Sequence, residues 1–159
     1  KEIYETTFLS ILEDVENNLD VAIVSEGDIS TFSSFSYLLE KIQKKGLDID
    51  LVPGITSFLL AAAESREPIC LQDEKVIVIP RIQKMEELQD ALTNFDTVIL
   101  MKIRSVMDTI ETALMSTNCS MTYYEHLGTN QQFKTKDWDT IKERKTPYFS
   151  LMIIKTNRK

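Results

Sequence analysis

Hydrophobic positions follow two spacings along the chain, and the spacing separates predicted helices from predicted strands. Apolar side chains at three- and four-residue intervals predict an amphipathic helix over residues 2–18. The same spacing predicts helices after Ser34, after Thr56, and over residues 86–94 and 105–115. Short apolar runs predict strands at residues 20–24, 48–52, 75–79, 97–101, 120–124 and 149–154, with a further short strand near Phe133.

The order of these elements indicates an α/β fold with two lobes. Helices and strands alternate over residues 1–55, as in a parallel sheet with crossover helices, so this range is predicted to form part of a parallel-sheet lobe. Residues 56–159 are predicted to form a mixed-sheet α/β lobe. The chain has only four glycines, and each falls at a predicted break between elements, where a positive φ or a close backbone approach is commonly needed.

Composition excludes several classes of function. The net charge is −7 and the pI about 4.8, so nucleic acid and anionic membranes would be repelled and are not expected as partners. Two isolated cysteines and a single histidine do not supply the ligands of an ordinary zinc site, so no metal is expected. The free thiols, the absence of a long apolar run and the charged start favour a cytoplasmic protein.

Three loops carry the chemistry that suits a ligand site. An open parallel sheet binds ligands at the carboxyl ends of its strands, where loops and helix amino termini gather. Residues 26–28, 53–57 and 101–102 each follow a predicted strand, and the first two contain glycine. These loops are therefore the predicted site, before any family is considered.

Five sequence blocks, in this order, resemble the tetrapyrrole methylase family. They are VAIVSEGD at residues 21–28, FSYLL at 35–39, VPGITSF at 52–58, LMK at 100–102, and YE at 124–125 followed by PYFSL at 147–151. The blocks extend over nearly the whole chain. Two departures accompany them: the family's amino-terminal strand and Gly-rich loop have no counterpart, so the chain is expected to begin inside the first lobe, and Ile29 stands where the family usually has proline.

The resemblance implies a methyltransferase that uses S-adenosylmethionine as cofactor and a tetrapyrrole as substrate, assembled as a homodimer. The blocks at residues 35–37 and 100–102 favour methylation of C20 in precorrin-2 or its cobalt complex. Another member of the family, such as a different precorrin methylase or a uroporphyrinogen-III methylase, is the nearest alternative. A fragment that acts only as a non-catalytic interaction module is a second alternative. No catalytic residue is assigned.

The resemblance also implies which residues meet the ligands. Cofactor contacts are expected at Gly27, Asp28, Thr31, Phe32, Thr56, Ser57, Met101, Tyr124 and Glu125. Substrate contacts are expected at Lys102 and Arg104, because cationic side chains make charge-assisted hydrogen bonds with carboxylates.

Each assignment has a structural alternative. The Thr56 and Ser57 hydroxyls either donate to the cofactor at a helix amino terminus or only cap the helix. Met101 either forms a soft apolar wall or belongs to the core. Lys102 and Arg104 either bind carboxylates or form a solvated surface pair. The run at residues 142–145 is interpreted as a solvated face.

Overall fold

The structure is a computed structural model that describes residues 2–157. The chain forms two compact units that divide between Thr56 and Ser57. No helix in residues 2–157 has the length and apolar character needed to cross a membrane.

The first unit contains two helices around a small apolar core. Helix α1 spans Glu2–Glu16 and helix α2 spans Ser36–Lys45, which confirms the helices predicted in this region. Gly46 ends α2 in the left-handed conformation, with φ of 76°, as its position in the sequence suggested. The buried side chains of the core come from α1, from α2 and from the residue before it: Ile11, Phe35, Leu38 and Ile42.

The two strands predicted in the first unit are not formed. Residues 20–24 and 48–52 have no strand assignment, and no backbone hydrogen bond joins these two segments in the described structure. Val24 is 93% exposed and Val52 is 79% exposed, so neither segment is enclosed as a buried strand would be. The prediction of a parallel sheet within residues 1–55 was therefore wrong, because an apolar run forms a strand only where a neighbouring strand takes up its backbone groups.

The second unit is a five-stranded mixed sheet with helices, which confirms the α/β class and the mixed sheet. The strands lie in the order β1-β2-β5-β3-β4. They span Val76–Ile79 (β1), Thr97–Met101 (β2), Cys119–Glu125 (β3), Phe133–Thr135 (β4) and Ser150–Thr156 (β5). The helices span Ser57–Ser65 (α3), Met85–Asn94 (α4), Met107–Met115 (α5) and Trp138–Lys142 (α6), with a 3-10 turn at Ile103–Ser105.

Strand directions place four chain segments at one end of the sheet. β1 and β2 are parallel, whereas β5 is antiparallel to both β2 and β3. The carboxyl ends of β1, β2 and β3 therefore lie at the same end as the start of β5. We call this the carboxyl end of the sheet.

Both faces of the sheet are covered by helices of the second unit. Ala61 and Phe58 of α3 pack on the face that contains Ile99 and Tyr124. Helices α4, α5 and α6 cover the opposite face with Leu88, Ile110 and Ile141, among other residues. A fully buried aliphatic side chain contributes roughly 1.5–3 kcal/mol relative to an exposed one, so these two layers hold the carboxyl end of the sheet in place.

Candidate functional site

Two glycine-containing loops of the first unit touch through their backbones. A Cβ atom added to Gly54 would lie 2.1 Å from the carbonyl oxygen of Gly27, a distance no real side chain tolerates. Gly27 itself has a φ of 77°, a conformation that side chains with a Cβ rarely adopt. The ends of the segments at residues 20–24 and 48–52 therefore converge at this loop pair, although the segments themselves do not pair.

The Asp28 carboxylate ties the two loops together. Its Oδ2 accepts a hydrogen bond of 2.8 Å from the Gly54 amide, and its Oδ1 accepts bonds from Ser30 and from the Thr31 hydroxyl. The Ser30 hydroxyl, the Gly54 amide and the Thr31 hydroxyl lower the pKa of Asp28 to about 2, because each donor stabilises the ionised carboxylate. Asp28 is thus a structural tie between the loops, with only 7% of its surface exposed.

This lowered pKa predicts a defined pH dependence. The pKa of an unfolded aspartate is about 3.9. The hydrogen-bonded Asp28 carboxylate therefore contributes stability above that pH, and this contribution is lost as the pH falls toward about 2. The Asp28→Asn variant has no carboxyl group to titrate at this position. Its unfolding free energy should therefore fall less steeply than that of the unmodified protein between about pH 5 and about pH 3. Denaturant titrations over this range measure the difference, and parallel curves would contradict the assignment.

The residues after Asp28 form a constrained surface turn. The Thr31 hydroxyl donates to Asp28 over 2.9 Å. Phe32 has a φ of 54°, in the left-handed region, and its side chain is 49% exposed. A bulky residue with positive φ is strained, and such strain is concentrated at binding and active sites.

Thr56 carries a hydroxyl that nothing in residues 2–157 satisfies. Its Oγ1 is buried and has no hydrogen-bond partner, so it does not cap α3, which begins at the next residue, Ser57. A buried hydroxyl without a partner costs roughly 1–3 kcal/mol. An incoming ligand with an acceptor atom would remove that cost.

Met101, Lys102 and Arg104 lie at the carboxyl end of the sheet in the second unit. Met101 is the last residue of β2 and is partly exposed. Lys102 follows it in the left-handed region with a φ of 53°, and Arg104 stands in the 3-10 turn; both are exposed. The register pairs Met101 with Leu151 of β5, and Leu151 with Tyr124 of β3. Met101 and Tyr124 thus lie on the same face, two strands apart.

The Tyr124 and Glu125 side chains point to opposite faces of the sheet, and both are hydrogen-bonded to other side chains of the second unit. Tyr124 is 2% exposed, and its Oη lies 2.6 Å from Ser65 Oγ. Glu125 is 4% exposed and accepts bonds from Arg144 Nε at 3.1 Å and Nη2 at 2.7 Å. The backbone at these two positions belongs to an inner strand, because β3 pairs with β4 on one side and with β5 on the other.

Arg144 and Tyr123 decide the charge state of Glu125. Burial alone raises the pKa of Glu125, but hydrogen bonds from Arg144 and Tyr123 outweigh burial and leave the pKa below its usual range. Burial and the neighbouring carboxylate raise the pKa of Tyr123, so Tyr123 stays protonated and donates to Glu125 over 2.9 Å. The Arg144 guanidinium also stacks 3.8 Å from the centroid of the Phe133 ring.

Two of these features were not predicted from the sequence. The run at residues 142–145 is not simply a solvated face, because Lys142 pairs with Glu111 and Arg144 pairs with Glu125. Gly54 was placed in a candidate loop but not among the contact residues, although the Pro-Gly pair that follows the segment at 48–52 was a signal for a close backbone approach. Within residues 2–157, no three His, Cys, Asp or Glu side chains are grouped so as to hold a metal ion.

The chain is similar to several known methyltransferases. A family model of tetrapyrrole (corrin/porphyrin) methylases matches residues 1–138. A probable cobalt-precorrin-2 C(20)-methyltransferase of Methanocaldococcus jannaschii is 33% identical over 87 residues, covering 55% of this chain and 36% of that protein. The cobalt-precorrin-2 C(20)-methyltransferase of Salmonella typhimurium is 24% identical over 155 residues, covering 96% of this chain and 65% of that protein.

A solved structure shares the fold. The X-ray structure of a cobalamin biosynthetic enzyme, cobalt precorrin-4 methyltransferase, aligns with a TM-score of 0.77 and 17% identity over 96% of this chain and 70% of that one. The chain spans 36% and 65% of the lengths of the two curated relatives.

Proposed function

Since the chain belongs to the tetrapyrrole (corrin/porphyrin) methylase family, we propose that it is the ligand-binding portion of a methyltransferase of cobalamin biosynthesis. Members of this family are S-adenosylmethionine-dependent C-methyltransferases. The proposed substrate position is C20 of precorrin-2 or of its cobalt complex. The names of both curated relatives support this choice over the other members of the family.

The observation that carries the cofactor assignment is the buried, unsatisfied hydroxyl of Thr56. It follows directly on the Gly27–Gly54 loop pair, and an acceptor atom of the cofactor would satisfy it. We assign the Gly27 and Asp28 backbone, Thr31 and Phe32 to the same ligand. The remaining proposed contacts come from the second unit: Ser57, Met101, Tyr124 and Glu125.

In methyl transfer from a sulfonium, the main task of the protein is to position the two ligands. The cofactor, when bound, supplies a methyl group already activated on a sulfonium. The loops tied by Asp28 present a fixed backbone surface, so little ordering is required when the ligand binds. Met101 offers a polarizable apolar side chain. Lys102 and Arg104 are proposed to hold substrate carboxylates through charge-assisted hydrogen bonds.

Thr56→Val tests the cofactor assignment because its two expected effects have opposite signs. Removing an unsatisfied hydroxyl should raise the unfolding free energy by about 1 kcal/mol, while the affinity for S-adenosylhomocysteine should fall about tenfold. Calorimetric titration and denaturant unfolding of the full-length protein measure the two quantities. Unchanged affinity would remove Thr56 from the site.

Thr97→Val is the matched control. The Thr97 hydroxyl donates to the Ile69 carbonyl over 2.7 Å and accepts from Lys155, so its loss should cost about 1–2 kcal/mol and leave S-adenosylhomocysteine affinity unchanged.

Incubation of the unmodified protein with precorrin-2 and a ¹³C-methyl donor, read by NMR, identifies the methylated carbon. No saturable heat with S-adenosylhomocysteine would contradict the enzyme assignment and favour an interaction module.

A further inference from the structure

Cationic side chains follow two neighbouring strands at the carboxyl end of the sheet. β1 and β2 are parallel, and Ile79 of β1 pairs with Leu100 of β2. Arg81 and Lys102 each stand two residues beyond this pair, so the chain brings them to the same end of the sheet. Arg104 follows in the 3-10 turn after β2. We call these three residues the basic cluster.

The basic cluster is exposed and is not neutralised by the protein. All three side chains are exposed, and none of them forms an ion pair with a carboxylate in the described residues. The chain as a whole has 25 acidic and 18 basic residues, so acidic partners are plentiful. Three cations left free at one end of a sheet therefore favour an anionic ligand from outside the chain.

The chemistry of the cluster suits carboxylates. Arg81 and Arg104 each offer a planar guanidinium that holds a carboxylate with two parallel hydrogen bonds. Lys102 is held with a positive φ of 53°, a strained backbone state that recurs at binding sites.

An exposed aromatic pair lies at the same end of the sheet. Tyr148 and Phe149 precede β5, whose start lies there, and they are 61% and 55% exposed. Their ring centroids are 5.2 Å apart in an edge-to-face arrangement. Exposed rings offer apolar surface to the ring system of a ligand, whereas the basic cluster offers charge to its acid groups.

We infer that Arg81, Lys102 and Arg104 bind the acid side chains of a ring-shaped polycarboxylate ligand, and that Arg81 is a specificity-determining residue. The inference rests on the proposed function and extends it, since it adds a residue that follows β1 to the substrate contacts. Arg81 selects for the number and position of carboxylates, because a ligand with fewer acid groups leaves one cation of the cluster without a partner.

Porphyrin binding tests the inference directly. Uroporphyrin carries more carboxylates than coproporphyrin, and the fluorescence of both reports binding to the full-length protein. Arg81→Glu and Arg104→Glu should each weaken uroporphyrin binding about tenfold and coproporphyrin binding less. Uroporphyrin binding should also weaken as salt is raised, since the contacts are exposed and screened.

Lys75→Glu is the matched control, because Lys75 is an exposed cation at the opposite end of β1. It reverses the same charge and should leave porphyrin affinity unchanged. Equal losses for Arg81→Glu and Lys75→Glu would overturn the inference, as would equal competition by tripolyphosphate, which indicates a general anion surface. All variants should bind S-adenosylhomocysteine like the unmodified protein. Failure of that binding in the unmodified protein would instead count against the proposed function.

Discussion

Gly54→Ala should unfold the loop pair of the first unit and abolish S-adenosylhomocysteine binding. The new Cβ would stand 2.1 Å from the Gly27 carbonyl oxygen, and that neighbour is backbone, which cannot rotate away as a side chain would. Separating the loops also breaks the hydrogen bond between the Gly54 amide and Asp28. Overpacking of this kind costs roughly 1–3 kcal/mol or more, and the lost hydrogen bond to a charged acceptor adds to it.

Gly46→Ala provides the comparison for this variant. Gly46 has a φ of 76°, but a Cβ there would meet nothing within 4 Å, so the cost is that of a left-handed backbone alone, about 1 kcal/mol. In denaturant titrations, Gly54→Ala should have a lower unfolding free energy than Gly46→Ala. In hydrogen exchange, the backbone amide of residue 54 should lose protection in Gly54→Ala and keep it in Gly46→Ala. An equal ranking would mean that the two loops separate at little cost.

Arg144→Met should destabilise the second unit more than removal of its partner does. The variant leaves the Glu125 carboxylate 4% exposed and without its two guanidinium hydrogen bonds. A buried carboxylate that has lost its cationic partner destabilises the fold more than replacement of that carboxylate by a neutral group. In Glu125→Gln the Arg144 guanidinium can be solvated by water, because the Arg144 side chain is 40% exposed. This variant should lower the unfolding free energy by about 2 kcal/mol.

The pH dependence of the two variants separates charge from packing. In the unmodified protein the lowered pKa of Glu125 contributes stability above the unfolded pKa and loses it as the pH falls. In Arg144→Met, burial is the largest influence on the pKa of Glu125 and raises it, opposed mainly by the remaining hydrogen bond from Tyr123. The variant should therefore recover part of its lost stability as the pH falls from about 7 to about 5. Lys142→Met breaks the more exposed pair with Glu111, is the control and should change stability little. Equal effects at Lys142 and Arg144 would contradict the interpretation.

The sequence predicted the second unit more fully than the first. The runs at residues 97–101 and 149–154 became the adjacent strands β2 and β5, because each run has a partner within the chain. The runs at residues 20–24 and 48–52 have the same apolar character but no ladder. Hydrophobic periodicity describes one segment at a time, and the existence of a partner strand is a property of the whole chain.

Short-range chemistry was predictable where one residue decides the geometry. Gly46 ended a helix as expected because a left-handed residue was needed there. Helix α6 was missed inside a polar stretch, although the Asp137 carboxylate accepts from the Asp139 and Thr140 amides and marks its start. The partners of Glu125 could not be predicted, since Arg144 lies nineteen positions away in a charged run that resembles an ordinary surface.

The position of β5 has a consequence for synthesis on the ribosome. The last strand of the described chain lies between β2 and β3, so the earlier strands emerge as two separate pairs, β1 with β2 and β3 with β4. Each pair keeps one side open until residues 150–156 leave the exit tunnel and join them. The second unit therefore completes its sheet only once β5 has emerged, and nascent chains stalled before that point expose unpaired strand sides to chaperones and to one another.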